Sequence, residues 1–148
     1  MLRRNAMIRA FKESDLSEVM QIWFDANVKA HNFIPKKYWL DNYAAVKEIL
    51  PKAEVYVYED DYQHLIMGFV GLTGNYVAGI FVKEYAQSKG VGKHLLDYVK
   101  TIKTYLDLSV YQKNIRAVSF YKREQFIIQS ENIDHSTNEK EFIMSWNK

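Results

Sequence analysis

The chain of 148 residues contains no cysteine. Disulfide bonds are therefore impossible, and the acyl-enzyme chemistry of a cysteine nucleophile is excluded. The absence of cysteine fits a cytoplasmic setting, which is the location we expect. The sequence also lacks any run of the roughly 20 apolar residues that a membrane-spanning helix requires. We therefore expect a protein with no membrane partner.

A large excess of either charge is also missing. The 20 Lys and Arg residues are balanced by 18 Asp and Glu residues, and the formal net charge is +2. This balance is too even to indicate a nucleic-acid partner. The four histidines lack the spacing of metal ligands, and the Gly-x-Ser-x-Gly motif of serine acyl-enzymes is absent. We therefore expect no metal, no nucleic acid and no serine nucleophile.

Apolar residues make up 48% of the chain, which suits a single domain with one substantial core. We place that domain at residues 7–148, after a tail of residues 1–6. Helical and alternating apolar patterns follow one another in the order β-α-α-β-β-β-α-β-α-β-β. This order predicts an α+β fold, with a mostly antiparallel sheet of six to seven strands, one central parallel pair and about four flanking helices.

One segment, Gln87-Ser-Lys-Gly-Val-Gly-Lys93, is typical of an anion-binding turn. It follows the apolar strand pattern Tyr76–Val82 and leads into a helical pattern that begins at Val91. A turn at the start of a helix collects backbone N–H groups and the positive end of the helix dipole at one point. The same glycines also suit an ordinary surface turn, so this segment alone does not decide between the two.

Two common nucleotide motifs are excluded at this turn. A P-loop requires a glycine at the position of Gln87 and a hydroxyl residue at the position of His94. A dinucleotide-binding fingerprint requires a third glycine at the position of Leu95. The pattern that remains is Gln-x-x-Gly-x-Gly directly before a helix.

A second motif, Asn114-Ile-Arg-Ala-Val-Ser-Phe-Tyr121, occurs one predicted strand after that helix. Asn114, Ala117 and Tyr121 share one stripe of the helix that the pattern predicts. Taken singly, Asn114 could be a helix cap and Tyr121 a core tyrosine with a hydrogen-bonded hydroxyl. Taken together, in this order and on these elements, the two motifs resemble the Gcn5-related N-acetyltransferase (GNAT) family over nearly the whole chain from residue 7.

Within that family the chain is most similar to small bacterial acetyltransferases of the YiaC and YjaB type. Three positions depart from the family pattern, because Ser88 and Gln125 stand where glycine is usual and Lys83-Glu84 lacks the usual proline. The stretches that carry the subgroup similarity are Gln21-Ile-Trp23, His31-Asn-Phe-Ile34, Tyr38-Trp39, Val110-Tyr-Gln-Lys-Asn114 and Ile143-Met-Ser-Trp146.

The resemblance implies an acetyl-CoA cofactor, with its pyrophosphate on the backbone of the turn and its pantetheine arm beside the preceding strand. Ser88 still offers the backbone N–H that a phosphate needs. Of the basic residues Lys89, Lys93, Lys113 and Arg116, we assign only the first two to the cofactor. The cofactor-binding residues that the resemblance implies are Ile80, Phe81, Val82, Gln87, Ser88, Lys89, Gly90, Val91, Gly92, Lys93, Asn114, Ala117 and Tyr121.

The resemblance also implies direct acetyl transfer within a ternary complex. Tyr121 is the expected general acid for the departing thiolate, because a phenol with a pKa of about 10 still carries its proton at neutral pH. Backbone N–H groups near Phe81 and Val82 are expected to stabilise the oxyanion. Tyr121 is the one side chain to which we assign a catalytic role.

The general base is less clear in the sequence. The predicted strand Tyr76–Val82 contains no carboxylate, although some family members place a glutamate there. A water relay is the favoured alternative. His31, Tyr38 and Glu54 are the possible proton acceptors or orienting groups.

The expected acceptor is a primary amine, and the subgroup resemblance favours the lysine side chain of a protein or peptide. Two other interpretations stay open, an acetyltransferase for a small-molecule amine and a non-catalytic module that binds or senses acyl-CoA. We expect a monomer or a homodimer. The side chains expected to line the acceptor pocket, which have spacings also typical of core residues, are His31, Phe33, Tyr38, Trp39 and Tyr111.

Overall fold

The computed structural model describes residues 6–148 of the chain. The expected tail of residues 1–6 therefore lies outside the described residues, except for Ala6, which begins the first strand. The predicted order of elements is confirmed. The strands are β1 Ala6–Ala10, β2 Glu54–Asp60, β3 Ile66–Thr73, β4 Tyr76–Val82, β5 Tyr105–Tyr111, β6 Ile127–Asp134 and β7 Glu139–Asn147, and the helices are α1 Leu16–Ala30, α2 Lys36–Ile49, α3 Val91–Ile102 and α4 Ile115–Arg123.

The seven strands form one sheet in the order β1-β2-β3-β4-β5-β7-β6. Every neighbouring pair is antiparallel except β4 and β5, which are parallel as the sequence predicts. The parallel pair has only two registered partners, Tyr76 with Asp107 and Val77 with Leu108. Beyond these partners the strands diverge, and we call this point the fork. Residues 78–82 of β4 pair with β3 on one edge and with no described strand on the other.

A β-bulge lies immediately after the fork. Gly71 of β3 pairs with Gly79, whereas the next residue, Leu72, pairs with Val77, so Ala78 is an extra residue in β4. A bulge bends its strand and increases the local twist. The bulge therefore accompanies the separation of β4 from β5.

Helices cover the two faces of the sheet. On one face, buried residues of α3 such as Leu95 and Leu96 pack with Val70 of β3. On the other face, Met20 of α1 packs with Phe69 of β3. Helix α1 packs on β3 and β4, whereas α4 packs on β5. The fork thus lies between the helix motif on one side and the α1–α2 pair on the other.

The alternation along β5 decides which side chains face which layer. Leu106, Leu108 and Val110 are buried with the α3–α4 layer. Tyr111 instead packs with the α1–α2 layer. Because successive side chains of a strand point to opposite faces, Asp107 shares the face of Tyr111.

The sequence pattern predicts a helix from Asn114 to Gln125, and α4 is shorter than this prediction. Asn114 is its N-cap, and the helix ends at Arg123 because Gln125 adopts a left-handed backbone with φ of 73°. A left-handed residue cannot continue a right-handed helix. Within residues 6–148, none of the helices combines the length and the apolar character needed to cross a membrane.

Candidate active site

The turn before α3 exposes a series of backbone donors. Ser88 has a φ of 65°, and Gly90, the N-cap of α3, has a φ of 87° without a side-chain cap. The first backbone hydrogen bond of the helix runs from His94 N–H to the Gly90 carbonyl at 2.9 Å. The N–H groups of residues 88–93 have no hydrogen-bond acceptor within residues 6–148. Six successive donors at the positive end of a helix form a strong anion-binding surface.

Side chains hold this turn in place. The Gln87 amide donates to the Val82 carbonyl at the end of β4, at 3.2 Å. Arg116 of α4 donates from Nη1 to Gln87 Oε1 and from Nη2 to Ser88 Oγ, both at 2.8 Å. The sequence placed Arg116 inside the helix motif, but its spacing did not reveal the contact with the turn. Arg116 therefore joins the turn to the helix that carries Tyr121.

The two assigned lysines differ in their surroundings. Lys93 is paired with Glu124 at 3.1 Å and with Asp97 at 3.4 Å, and the hydrogen bond that it donates to Glu124 raises the pKa of Lys93. Lys89 is exposed and forms no ion pair with any described residue. The free positive charges at the turn are thus Lys89 and Arg116, since Arg116 donates only to neutral oxygens.

The predicted general acid, Tyr121, is buried at 8% exposure. Its ring packs edge-on against Phe120 and Phe126. The hydroxyl has no hydrogen-bond partner among the described residues, so the alternative of a hydrogen-bonded core tyrosine is not observed. Burial, with a smaller contribution from Tyr76, raises the pKa of Tyr121 above its ordinary value. Tyr121 is therefore a protonated donor at neutral pH.

Asn114 connects the two sides of the fork. Its Oδ1 accepts from the Ala117 N–H at 3.2 Å, which is the cap of α4. Its Nδ2 lies 3.2 Å from Nε2 of His31, the residue that ends α1. Because the cap fixes which end of the amide faces His31, the amide donates and Nε2 accepts. His31 is then neutral, with its proton on Nδ1.

His31 is a poor proton acceptor in this arrangement. Burial lowers its pKa to about 4. The lone pair of Nε2 already accepts from Asn114. The Nδ1 of His31 is buried and has no hydrogen-bond partner among the described residues. The same holds for Nε1 of the neighbouring Trp39. The structure thus favours an orienting role for His31 over a role as base.

All five side chains predicted for the acceptor pocket come together on the α1–α2 side of the fork. His31 stacks on Trp39 at 5.4 Å and meets the ring of Tyr111 edge-on at 5.1 Å. Phe33 packs against His31 and Tyr111, and Tyr38 packs against Trp39. We call these five residues the aromatic cluster. The Tyr111 hydroxyl donates to Asp134 Oδ2 at 2.5 Å, which ties the cluster to the end of β6.

Glu54 lies outside this region. Its carboxylate accepts from the Tyr56 hydroxyl at 2.5 Å and from Lys103 at 2.9 Å. Lys103 follows the last residue of α3, whereas the anion-binding turn precedes the first, and a helix of 12 residues is about 18 Å long. Glu54 is therefore removed from the list of possible bases.

The predicted pantetheine strand presents different side chains to its two faces. Ile80 and Val82 pack towards α3, whereas Phe81 packs towards α1 and stacks on Phe69 at 4.9 Å. The Phe81 ring lies over Gly79, where an added Cβ would be 2.3 Å from Cζ. Glycine at 79 therefore permits the position of Phe81, and it leaves the unpaired edge of β4 as bare backbone.

A cleft of about 610 Å³ lies between α1 and residues 82–87. It is bordered by Val82 and Gln87 of the cofactor region and by Asp25 of α1. Lys29 and Glu84 face each other across these two segments as an ion pair. No pattern in the sequence predicts this cleft, because its walls come from two elements that are distant in the chain. Among residues 6–148, no group of three or more histidine and carboxylate side chains is arranged to hold a metal.

Comparison with known proteins identifies this arrangement. Residues 51–128, which contain the fork, the turn and α4, match the family model described as acetyltransferase (GNAT) domain. The chain belongs to the GNAT family. The expected fold and enzyme class, an acetyl-CoA-dependent N-acetyltransferase, are thereby confirmed.

The subgroup resemblance is confirmed as well. The chain is 34% identical over 142 residues to the peptidyl-lysine N-acetyltransferase YiaC of Escherichia coli K12, covering 95% of this chain and 96% of that protein. It is 29% identical over 119 residues to the peptidyl-lysine N-acetyltransferase YjaB of Salmonella typhimurium, covering 80% of this chain and 81% of that one.

Solved GNAT structures share the fold. The solution structure of apo YjaB from Escherichia coli has a TM-score of 0.85 at 22% identity and covers 95% of this chain and 97% of its own. The PaiA N-acetyltransferase of Thermoplasma acidophilum, solved in complex with coenzyme A, has a TM-score of 0.83 at 19% identity and covers 98% of this chain and 100% of its own.

Proposed function

We propose that this GNAT protein transfers the acetyl group of acetyl-CoA directly to the side-chain amine of a lysine in a protein or peptide. One observation carries the proposal: residues 78–82 of β4 have an unpaired edge, residues 88–93 after them have free backbone donors, and α4 packs Tyr121 into the buried cluster of Val77 and Leu108 at the fork. The lysine acceptor is supported by relatives that are peptidyl-lysine N-acetyltransferases.

The residues around the fork fit acetyl-CoA. Backbone donors without a partner suit the pyrophosphate, and Arg116 and Lys89 add positive charge beside them. The unpaired edge of residues 78–82 suits the amides of the pantetheine arm, which can replace a strand partner. When bound, acetyl-CoA supplies the acetyl thioester. Of the two assigned lysines, we retain Lys93 only as a minor contributor, because Glu124 and Asp97 already share its charge.

Tyr121 serves as the general acid in this proposal. Its buried hydroxyl keeps its proton and has no competing acceptor, so it is free to donate to the leaving sulfur. The main chain at Phe81 and Val82 offers N–H groups for the oxyanion. Asn114 positions this machinery by capping α4 and by binding His31 at the same time.

The aromatic cluster supplies the wall of the acceptor pocket. A lysine side chain combines a long apolar stem with a cationic head, and aromatic rings bind both parts favourably. A small-molecule amine is the alternative acceptor; the cleft beside α1 is lined by three carboxylates and three lysines, so its charge favours neither candidate. A non-catalytic acyl-CoA sensor is disfavoured because it has no need of a buried donor at Tyr121.

The test is acetyl-CoA turnover with a panel of lysine peptides and polyamines, measured by CoA release and by the acetyl mass increment on each amine. We expect acetylation of lysine peptides, and a loss of roughly 10²-fold or more in kcat for Tyr121→Phe with unchanged acetyl-CoA affinity. Acetylation of polyamines alone would favour the small-molecule acceptor. Acetyl-CoA binding without turnover of any amine would overturn the enzymatic proposal.

A further inference from the structure

The proposed reaction needs a group that removes a proton from the acceptor. A lysine amine has a pKa of about 10.4, so nearly all of it is ammonium at neutral pH and cannot attack a carbonyl carbon. Strand β4 carries no carboxylate. His31 has its lone pair occupied, and Glu54 is bound at the far end of α3. A free carboxylate for this step must therefore lie on another element.

The carboxylates on the β5–β7–β6 half of the sheet are nearly all engaged. Four of them accept a hydrogen bond or form an ion pair, and each partner is a side chain of the same half. These pairs are Glu131 with Gln112 at 2.8 Å, Asp134 with Tyr111 at 2.5 Å, Glu139 with Lys113 at 3.2 Å and Glu141 with Asn132 at 3.1 Å.

Asp107 is the exception. The residue is half-buried, and its carboxylate has neither a hydrogen bond nor an ion pair with any residue from 6 to 148. A carboxylate without a protein partner has its acceptor positions open to water or to a ligand. Asp107 is thus an anionic group with unused acceptor capacity.

The position of Asp107 suits a group that takes a proton from the acceptor amine. Its register partner is Tyr76, one residue before Val77 and Leu108, the last registered pair ahead of the fork. Asp107 faces the same side of the sheet as Tyr111 of the aromatic cluster. Tyr111 is the second residue on that face after Asp107 along β5. Tyr121 lies on the opposite face of the sheet, in the buried cluster that contains Val77 and Leu108 at the fork. An acceptor amine that enters past the aromatic cluster therefore reaches the fork between Asp107 and Tyr121.

We propose that Asp107 is the catalytic group that accepts the proton of the acceptor ammonium, directly or through one water molecule. This step rests on the proposed function. The ammonium gives one proton to the carboxylate, and the neutral nitrogen forms a bond to the thioester carbonyl carbon. The C–S bond breaks as sulfur takes the Tyr121 proton, and the second nitrogen proton returns to Tyr121. Asp107 finally releases its proton to solvent.

Few other titratable groups face Asp107. On the same face, β4 contributes Tyr76 and β5 itself contributes Tyr105, while the register partner on β7 is the neutral Ser145. A change in the pH dependence of turnover after substitution of Asp107 can therefore be assigned to Asp107 itself.

The test uses the isosteric variant Asp107→Asn, with Asp61→Asn as a charge-matched control in the exposed turn between β2 and β3. We expect Asp107→Asn to lower kcat for a lysine peptide by roughly 10²-fold at pH 7. Its acetyl-CoA affinity should equal that of the wild type, and the deficit should shrink as pH rises towards the pKa of the amine. The control should match the wild type throughout.

A second measurement separates a base from a simple binding group. Acceptor amines of decreasing pKa are already neutral in larger part, so the ratio of wild-type to Asp107→Asn kcat should fall along such a series. Asp107→Glu should recover part of the activity, because it restores a carboxylate at the fork. The falling ratio of kcat values is expected only of a proton acceptor, whereas the recovery in Asp107→Glu shows that a carboxylate is needed.

Two outcomes would overturn the assignment while leaving the proposed function intact. The first is an unchanged pH profile in Asp107→Asn, with the wild type active. The second is an effect on KM alone, which would make Asp107 an anchor for the ammonium. Inactivity of the wild type towards every amine is a different result, because it contradicts the proposed function itself.

Discussion

The two sides of the fork differ in the groups that they offer to a ligand. On the side proposed to hold the cofactor, these are mostly main-chain N–H groups of residues 88–93 and the bare edge of residues 78–82. On the acceptor side they are side chains, drawn from the α1–α2 connection, from Tyr111 of β5 and from Asp134 of β6. A main-chain site needs a particular local conformation, which a short motif can encode. A side-chain site needs only that distant residues meet.

The two sides also differ in charge. The cofactor side combines the N-terminus of α3 with Arg116 and Lys89, and no carboxylate neutralises these two cations. The acceptor side carries carboxylates, including Asp134 and the unengaged Asp107. Opposite potentials on the two sides suit an anionic donor on one and a cationic acceptor on the other.

The largest expected effect is confined to the cofactor side. Gly90→Val places a branched side chain at a φ of 87° and beside the turn donors, so we expect acetyl-CoA affinity to fall on the order of 100-fold. Calorimetry with CoA measures this loss. Gly74→Val is the matched control, since Gly74 is also left-handed, at 62°, but lies in the β3–β4 turn with open space around it. Equal affinity loss in both variants would contradict the assignment of the turn.

The next effect concerns the acceptor side and is a dependence of stability on pH. The folded protein holds His31 neutral with a pKa of about 4, whereas the unfolded chain binds a proton near pH 6.5. Stability is therefore complete above pH 6.5 and declines as pH falls towards 4, by about 2 kcal/mol between pH 7 and pH 5.

Urea unfolding at pH 7 and pH 5 tests this expectation. The His31→Gln variant should lose most of the difference between the two pH values, whatever its absolute stability. The His64→Gln variant should keep it, because His64 is exposed on the β2–β3 turn. A pH dependence that survives in His31→Gln would show that other groups cause it.

A smaller effect tests the contact between the turn and α4 within the cofactor side. Arg116→Gln removes a cation and its bonds to Gln87 and Ser88, so we expect the KM for acetyl-CoA to rise about tenfold with kcat nearly unchanged. Lys122→Gln removes an exposed charge from the same helix and should leave both constants unchanged. A fall in kcat without a change in KM would mean that Arg116 acts on Tyr121 and not on the cofactor.

The smallest expected effect is a gain in stability. Gln125 has a φ of 73°, a conformation that glycine adopts without strain, and GNAT proteins usually have glycine at this position. Gln125→Gly should therefore raise the free energy of unfolding by about 1 kcal/mol. Denaturant unfolding measures the gain. Because Gln125 lies outside both sides of the fork, the kinetic constants should not change.

Periodicity made most of the fold predictable. Alternating and helical apolar patterns located all seven strands and four helices of residues 6–148, with errors of one or two residues at most ends. The largest error, the length of α4, came from the left-handed Gln125, which a hydrophobic pattern does not register. The parallel pairing of β4 and β5 followed from connection length, but the restriction of that pairing to two partners did not.

The cofactor motifs were predictable because each depends on one local stretch of the chain, which the acceptor side does not. Gln87 to Lys93 and Asn114 to Tyr121 are contiguous, so their residue types appear together in the sequence. The contact of Arg116 with the turn and the proposed role of Asp107 were not predictable, because each depends on residues of another element. His31 was found as a candidate, but its protonation state follows from Asn114, 83 residues away.

The open edge of β4 has a further consequence for solubility. An unpaired strand edge normally invites pairing with a second chain, and many proteins protect such edges with charges or covering loops. Here the edge faces β5, which diverges from it without leaving the sheet. A strand from another molecule could align with residues 78–82 only by displacing β5 and its seven registered pairs with β7. The fork thus gives a ligand access to a bare strand edge while it denies that edge to aggregation.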